Sequence, residues 1–351
     1  MTKHNFSAGP SILPKEVFDG SANAIVQYQN SGLSIIEMSH RSPEVGLIIE
    51  EAKSLVIDLL ELKSNEYEVL FLQGGASLQF LMIGYNLLNN KAGYLNTGSW
   101  SEKAIKEAKF FGEVIELSSS KSNNYKHIPK DFNVPDDIDY MHMTSNNTIY
   151  GTQYSSVPKA NAPIVVDSSS DIFSRVFDYS SYDLIYAGAQ KNIGPAGVTL
   201  VVIKKDILGK VSREIPSMLN YNVHIEKKSL FNTPPVFAIY ATLLNLRWIK
   251  KRSIELISQT NLEKAKLLYD EIDSNKLFKG FADIEDRSLM NVTFDLVDKD
   301  LSNNFDALLG AKNISGVKGH RSIGGYRASL YNALPIESVE VLINCMKELK
   351  N

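Results

Sequence analysis

Lys191 is the residue of this 351-residue chain whose setting most invites chemistry. It lies in Tyr186-Ala-Gly-Ala-Gln-Lys191-Asn-Ile-Gly-Pro-Ala-Gly197, between the apolar runs 183–187 and 198–203, which read as buried strands. A long cationic side chain on a tight turn of small residues suits a pocket floor better than a solvated surface. Desolvation there lowers the pKa of the amine toward the range in which it attacks a carbonyl. This is the setting of a Schiff-base lysine, although the segment alone fits an ordinary loop lysine equally well.

The other reactive side chains cluster at strand ends. Ala162-Pro-Ile-Val-Val-Asp167 is an apolar strand that terminates in a carboxylate, and the strand 139–144 leads into Asn146-Asn147-Thr148. Between the strand Tyr67–Leu72 and a helix spaced Leu78, Leu81, Met82, Tyr85, Leu88 lies Gln73-Gly-Gly-Ala-Ser77. Strand, glycine turn and helix N-terminus together make an anion cradle, though paired glycines there are also a common steric necessity. Trp100 follows Thr97-Gly98-Ser99 at a helix entry, placed either for core packing or for stacking on a flat ligand. If Lys191 forms an imine with pyridoxal phosphate, Asp167 is the carboxylate for the pyridinium nitrogen. Gly75, Ala76 and Ser77 are then the donors for the phosphate, and Trp100 covers the ring. Two His-Arg pairs, His40-Arg41 and His320-Arg321, together with Arg327, point to a substrate with two anionic ends. Each arginine taken singly reads sooner as a surface or interdomain salt bridge, a reading that loses force for two His-Arg pairs on glycine- or proline-rich loops.

The elements that must position these groups form an α/β pattern, with ligands gathered beyond the carboxyl ends of a mostly parallel sheet. Pro14 opens a helix running through Val17, Ile25 and Val26, and residues 118–135 are polar and irregular with no legible function. The rigid loop Ser229–Pro235 precedes a long helix that bridges to a second domain. That domain holds the strands 290–294 and 326–331 and a final helix apolar at Val339, Leu342, Ile343, Met346 and Leu349. A net charge of −3 argues against a nucleic-acid surface and for small-molecule partners. Cys345, the single cysteine, offers neither a disulfide nor a metal cluster, and its place in the amphipathic final helix suits a packed thiol rather than the reactive cysteine of a desulfurase. With no apolar leader and no stretch of membrane-spanning length, a cytoplasmic location is expected.

The segments Asn5–Pro10, Glu37–Arg41, Gln73–Ser77, Tyr186–Gly197, Phe231–Pro235, Gly319–Gly325 and Arg327–Asn332 resemble, in order, those of the phosphoserine aminotransferase family. The resemblance implies a class V, fold type I pyridoxal-phosphate enzyme: a large domain with a mostly parallel mixed sheet between helices, and a smaller C-terminal α/β domain. The expected division is an N-terminal arm, 1–15, packing with the small domain, a large cofactor-binding domain, 16–255, and a small domain, 256–351. By similarity Lys191 is the Schiff-base lysine, Asp167 pairs with the pyridinium nitrogen, and Trp100 stacks on the ring. Ala76 and Ser77 hold the phosphate, Thr148 approaches the ring hydroxyl side, and Gln190 is a further cofactor contact. Asn232 and Thr233 reach the cofactor phosphate of the neighbouring subunit in a homodimer. Arg327 takes the α-carboxylate, with His40, Arg41, His320 and Arg321 around the distal phosphate or γ-carboxylate; no metal is expected. The implied reaction converts 3-phosphohydroxypyruvate and glutamate to phosphoserine and 2-oxoglutarate through pyridoxamine phosphate, in serine biosynthesis. Action on 4-phosphohydroxythreonine in vitamin B6 biosynthesis is left open. Tyr150 departs from the acidic residue expected in Asn-Asn-Thr-Ile-x-Gly.

Overall fold

The computed structural model describes residues 3–350. After β1 (His4–Asn5), helices α1 (Lys15–Val26) and α2 (Pro43–Leu59) lead to β2 (Tyr67–Leu72) and α3 (Gly75–Leu87). Next come β3 (Lys91–Asn96), α4 (Ser99–Ala108), β4 (Glu113–Ser119) and β5 (Tyr140–Thr144). A short ribbon, β6 (Asn146–Asn147) with β7 (Thr152–Gln153), precedes β8 (Ile164–Asp167), β9 (Leu184–Gly188) and β10 (Thr199–Lys204). Helices α5 (Tyr221–Glu226), α6 (Val236–Arg252) and α7 (Ile254–Ser274) follow. The chain ends with β11 (Phe278–Gly280), β12 (Asn291–Leu296), α8 (Ser302–Ala311), β13 (Ile314–Ser315), β14 (Tyr326–Ser329) and α9 (Ile336–Glu348).

The main sheet has seven strands in the order β2-β10-β9-β8-β5-β3-β4, and only β10 runs against the rest. Apart from the edge strand β4, whose residues are half-buried or exposed, the strands are buried on both faces, so successive residues serve different layers. Phe71, Met141, Ile185 and Leu200 pack toward α2 and α6. Leu70, Tyr140, Leu184 and Val201 pack toward α3 and α4 on the other face. Every parallel strand therefore delivers its following loop to the same edge, which is where β10 begins.

A second apolar cluster gathers around the three-stranded antiparallel sheet β11-β12-β14 with α7, α8 and α9. Phe6 belongs to it, and β1 pairs in parallel with β13. Helix α7 joins the two bodies: Ile257 packs in the first core and Ala265 in the second. Cys345 is fully buried in this second cluster. No helix among the described residues is long and apolar enough to cross a membrane.

Candidate active site

Lys191 sits on the turn between β9 and β10, and both ends of that turn are fastened. The Ala189 N–H donates to the Val198 carbonyl at 3.0 Å, and the Gly194 N–H donates to the Ala189 carbonyl at 2.8 Å. From α6, the Asn245 amide donates to the carbonyls of Asn192 and Ile193, at 2.8 Å each. A Cβ at Gly194 would lie 2.4 Å from the Thr242 hydroxyl, so glycine is what lets α6 approach this closely. The N-terminal arm covers the other side. Ser11 N–H donates to the Gln190 carbonyl at 2.9 Å, the Ser11 hydroxyl donates to the Lys191 carbonyl, and the Gly9 backbone lies against the Lys191 side chain.

Lys191 Nζ donates to Thr148 Oγ1 at 3.0 Å. Burial pushes its pKa down to about 8; the carboxylates of Asp167 and Asp171 oppose that shift and the Arg327 guanidinium adds to it. The Asp167 carboxyl closes β8, buried, accepting from the Ser169 N–H at 3.0 Å. Burial raises its pKa, while the Lys191 charge and the Ser169 hydrogen bonds act the other way. Tyr186 stands opposite Asp167 in the β8–β9 register, and its hydroxyl bonds His142 Nε2 at 2.8 Å. Burial drives the His142 pKa down to about 3, so this ring is neutral under the site.

Arg327, on β14, crosses from the second body and donates from Nη1 to the Thr148 carbonyl at 3.1 Å. Its Nε is buried with no partner, an N–H placed for an anion. His320 lies near enough to Arg327 and Arg321 to be affected by both charges. Burial and the charges of Arg327, Arg321 and Lys103 all lower the His320 pKa.

Two more expected groups lie at the end of β2 and at α4. Gly74 and Gly75 have φ of 89° and 67°, left-handed conformations that glycine adopts without strain, and α3 starts there with no side chain capping it. The first-turn N–H groups at Ala76 and Ser77 are thus left for an anion. Trp100 is partly buried, with its indole N–H unpartnered and Lys103 Nζ 4.2 Å from its ring centroid. Tyr150 is buried beside it against Tyr125 and Phe281, and its hydroxyl contacts Ser99 at 3.2 Å. An aromatic wall therefore stands where an acidic residue is the family's expectation.

His40 and Thr233 line an open cleft of about 370 Å³ with Ile36, Met38 and Pro235. The cleft does not include Lys191 in its lining. The loop bearing Asn232 and Thr233 is tied to the glycine turn through Gln73 Nε2, which donates to the Thr233 carbonyl at 2.9 Å. His40 and Arg41 make no ion pair among the described residues.

Sequence reading gave no role to Lys103, Tyr331, Asn192 or Asn245. Lys103 stands three residues after Trp100, a helical spacing that could have flagged the pair. Tyr331 donates to the Ala8 carbonyl at 2.9 Å, and burial raises its pKa to about 12 while Arg327 and Thr148 oppose the shift. The Tyr331–Ala8 contact joins residues 323 apart and the Asn245–Asn192 contact residues 53 apart, so neither leaves a local pattern. Chemically, the strand-end cluster suits pyridoxal phosphate. It has an amine of depressed pKa, a buried carboxylate, uncapped N–H groups and an unpaired guanidinium N–H, while no group of side chains among the described residues could hold a metal ion.

The family profile described as aminotransferase class-V matches residues 3–342. A phosphoserine aminotransferase of Flavobacterium psychrophilum is 60% identical over 354 residues, covering 100% of this chain and 99% of that protein. One of Bacteroides thetaiotaomicron is 54% identical over 353 residues, again covering 100% of this chain and 99% of the relative. The solved phosphoserine aminotransferase of Bacillus circulans subsp. alkalophilus superposes with a TM-score of 0.96 at 43% identity, covering 99% of this chain and 98% of that one. A phosphoserine aminotransferase whose Schiff base was studied for radiation damage gives 0.96 at 46% identity, with 99% of each chain covered. The chain thus belongs to the class-V aminotransferases, enzymes dependent on pyridoxal phosphate, and within them to the phosphoserine aminotransferase family.

Proposed function

We propose that the chain transfers the amino group between glutamate and 3-phosphohydroxypyruvate, giving O-phosphoserine and 2-oxoglutarate, as a step of serine biosynthesis. The observation that carries this reading is the position of Lys191 Nζ. Its amine, with pKa near 8, bonds Thr148, which in turn accepts from Arg327, with Asp167 buried close by. Pyridoxal phosphate, when bound, supplies the electron sink and carries the amino group. Lys191 would hold it and, once released from it, would move the proton at the substrate α-carbon; burial lowers the pKa of its amine, which raises the fraction of free amine near neutral pH. Asp167 would supply the carboxylate for the pyridinium nitrogen, Ala76 and Ser77 the N–H groups for the phosphate, and Trp100 a ring to cover the cofactor, with Thr148 and Gln190 as further contacts.

Arg327 takes the α-carboxylate that both amino donors share. The distal ends differ, phosphate against carboxylate, and a cationic set of His40, Arg41, His320 and Arg321 accepts either. The lining of the His40 cleft does not include Lys191 and is largely apolar, with Ile36 66% exposed. Such a surface fits a second copy, so we read the enzyme as a homodimer in which Asn232 and Thr233 serve the neighbouring site. The 4-phosphohydroxythreonine of vitamin B6 synthesis presents the same two anionic ends and is a second candidate substrate. Half-reactions followed by loss of the yellow cofactor absorbance test the reading. Phosphoserine and glutamate should bleach it at far lower concentration than serine or alanine; equal response to serine would overturn the distal-anion assignment.

A further inference from the structure

Lys264, on α7, is fully buried and forms no ion pair among the described residues. Its Nζ instead donates to three main-chain carbonyls: Leu330 at 2.9 Å, Tyr331 at 2.9 Å and Leu334 at 3.2 Å. Three acceptors need three N–H donors, which the ammonium has and the neutral amine lacks. Burying a charge without a carboxylate partner is expensive, and a side chain of similar length such as methionine would fill the space more cheaply. Burial pushes the Lys264 pKa down to about 7, with the Arg252 charge adding to the shift.

The clamped segment is a junction. One turn earlier on the same face of α7, buried Asn261 donates to Asn332 Oδ1 and to the Ser174 carbonyl, both at 2.9 Å. The Asn332 N–H donates to Asn192 Oδ1 at 3.1 Å, and Asn192 directly follows Lys191. Tyr331 reaches the Ala8 carbonyl, next to the Gly9 backbone that lies against the Lys191 side chain. The strand bearing Arg327 ends at Ser329, one residue before the first clamped carbonyl.

We infer that Lys264 is a positioning residue whose ammonium fills a cation site of three main-chain carbonyls and so fixes the 330–334 segment that braces the Lys191 turn. It acts on the site through that segment alone. Lys264→Ala empties the cation site and leaves a cavity beneath the carbonyls, which added methylammonium can enter. In the Lys264→Ala holoenzyme, and again with the cofactor removed, amide exchange at Asn332 and Leu334 should quicken by about tenfold or more. The kcat/KM for glutamate and for phosphoserine should fall together. Methylammonium should restore both exchange protection and turnover, whereas tetramethylammonium, which has no N–H to donate, should restore neither. Unchanged exchange, or equal rescue by the two cations, would overturn the inference. Should Lys264→Ala fail to fold, Lys264→Met decides the matter: faster exchange at Asn332 and Leu334 supports the clamp, and wild-type exchange and kcat/KM refute it. The exchange readout does not depend on the assigned reaction.

Discussion

The Lys191 turn and the His40–Thr233 cleft are built in opposite ways. Around Lys191 the chain supplies its own closure: Asn245 from α6, Ser11 from the arm and Thr148 from the turn between β6 and β7 all hold the turn or its amine. The cleft is open, His40 and Arg41 make no ion pair among the described residues, and exposed Ile36 forms part of the wall. Bond-making chemistry tolerates little play, so its groups sit where one chain can over-determine them. On the reading proposed above, the cleft is a surface that another copy would complete.

The sharpest way to break this contrast is Lys191→Ala. It should lower turnover by about 10³-fold or more and abolish the yellow absorbance of the reconstituted protein; survival of either would remove Lys191 from the reaction. Mixed refolding of Lys191→Ala with Arg41→Ala comes next. If the cleft serves the neighbouring copy, mixed dimers regain one intact site, and total activity returns to about a quarter of wild type; no recovery would place Arg41 in its own chain's site. Arg327→Leu removes a charge-assisted contact common to both donors and should cost kcat/KM roughly 10–100-fold for each. A loss confined to phosphoserine would move Arg327 to the distal end. Capture of pyridoxal phosphate by the cofactor-free protein should speed up as pH rises through about 8, because only the neutral amine attacks and burial has lowered its pKa from 10.5. A rise delayed to the value of a free lysine would mean the amine is solvated. Tyr150→Phe forfeits a single 3.2 Å contact to Ser99 while keeping the ring against Tyr125 and Phe281. The melting temperature should move by less than about 2 °C.

What could be read from the sequence follows the same division. Lys191, Asp167, Thr148 and the Gly74-Gly75 turn each end or follow a local apolar run, and a parallel sheet brings such ends to one edge whatever the loops between them do. The antiparallel course of β10 and the place of the His40 cleft depend on how distant elements pack, and no local period encodes them. Lys264 makes the point most plainly. On a helix its charge reads as solvent-facing, and only the fold shows three carbonyls waiting around it. Tyr150 stood out as a departure from the expected acidic residue, yet its ring partners, Tyr125 and Phe281, come from segments 25 and 131 residues away in the chain.

The antiparallel strand β10 also has a consequence for assembly. Strand β2 is an edge strand whose only neighbour in the main sheet is β10, which follows it by more than 120 residues. Until β10 inserts, the glycine turn after β2 and the lysine turn before β10 belong to separate pieces of a growing sheet. Such a long-range pairing bears a heavy loop-closure cost and forms late. A cofactor that bridges the two turns would therefore draw the edge closed, stabilising the finished sheet over its precursor by mass action. Refolding with pyridoxal phosphate present should then protect β2 amides earlier than refolding without it.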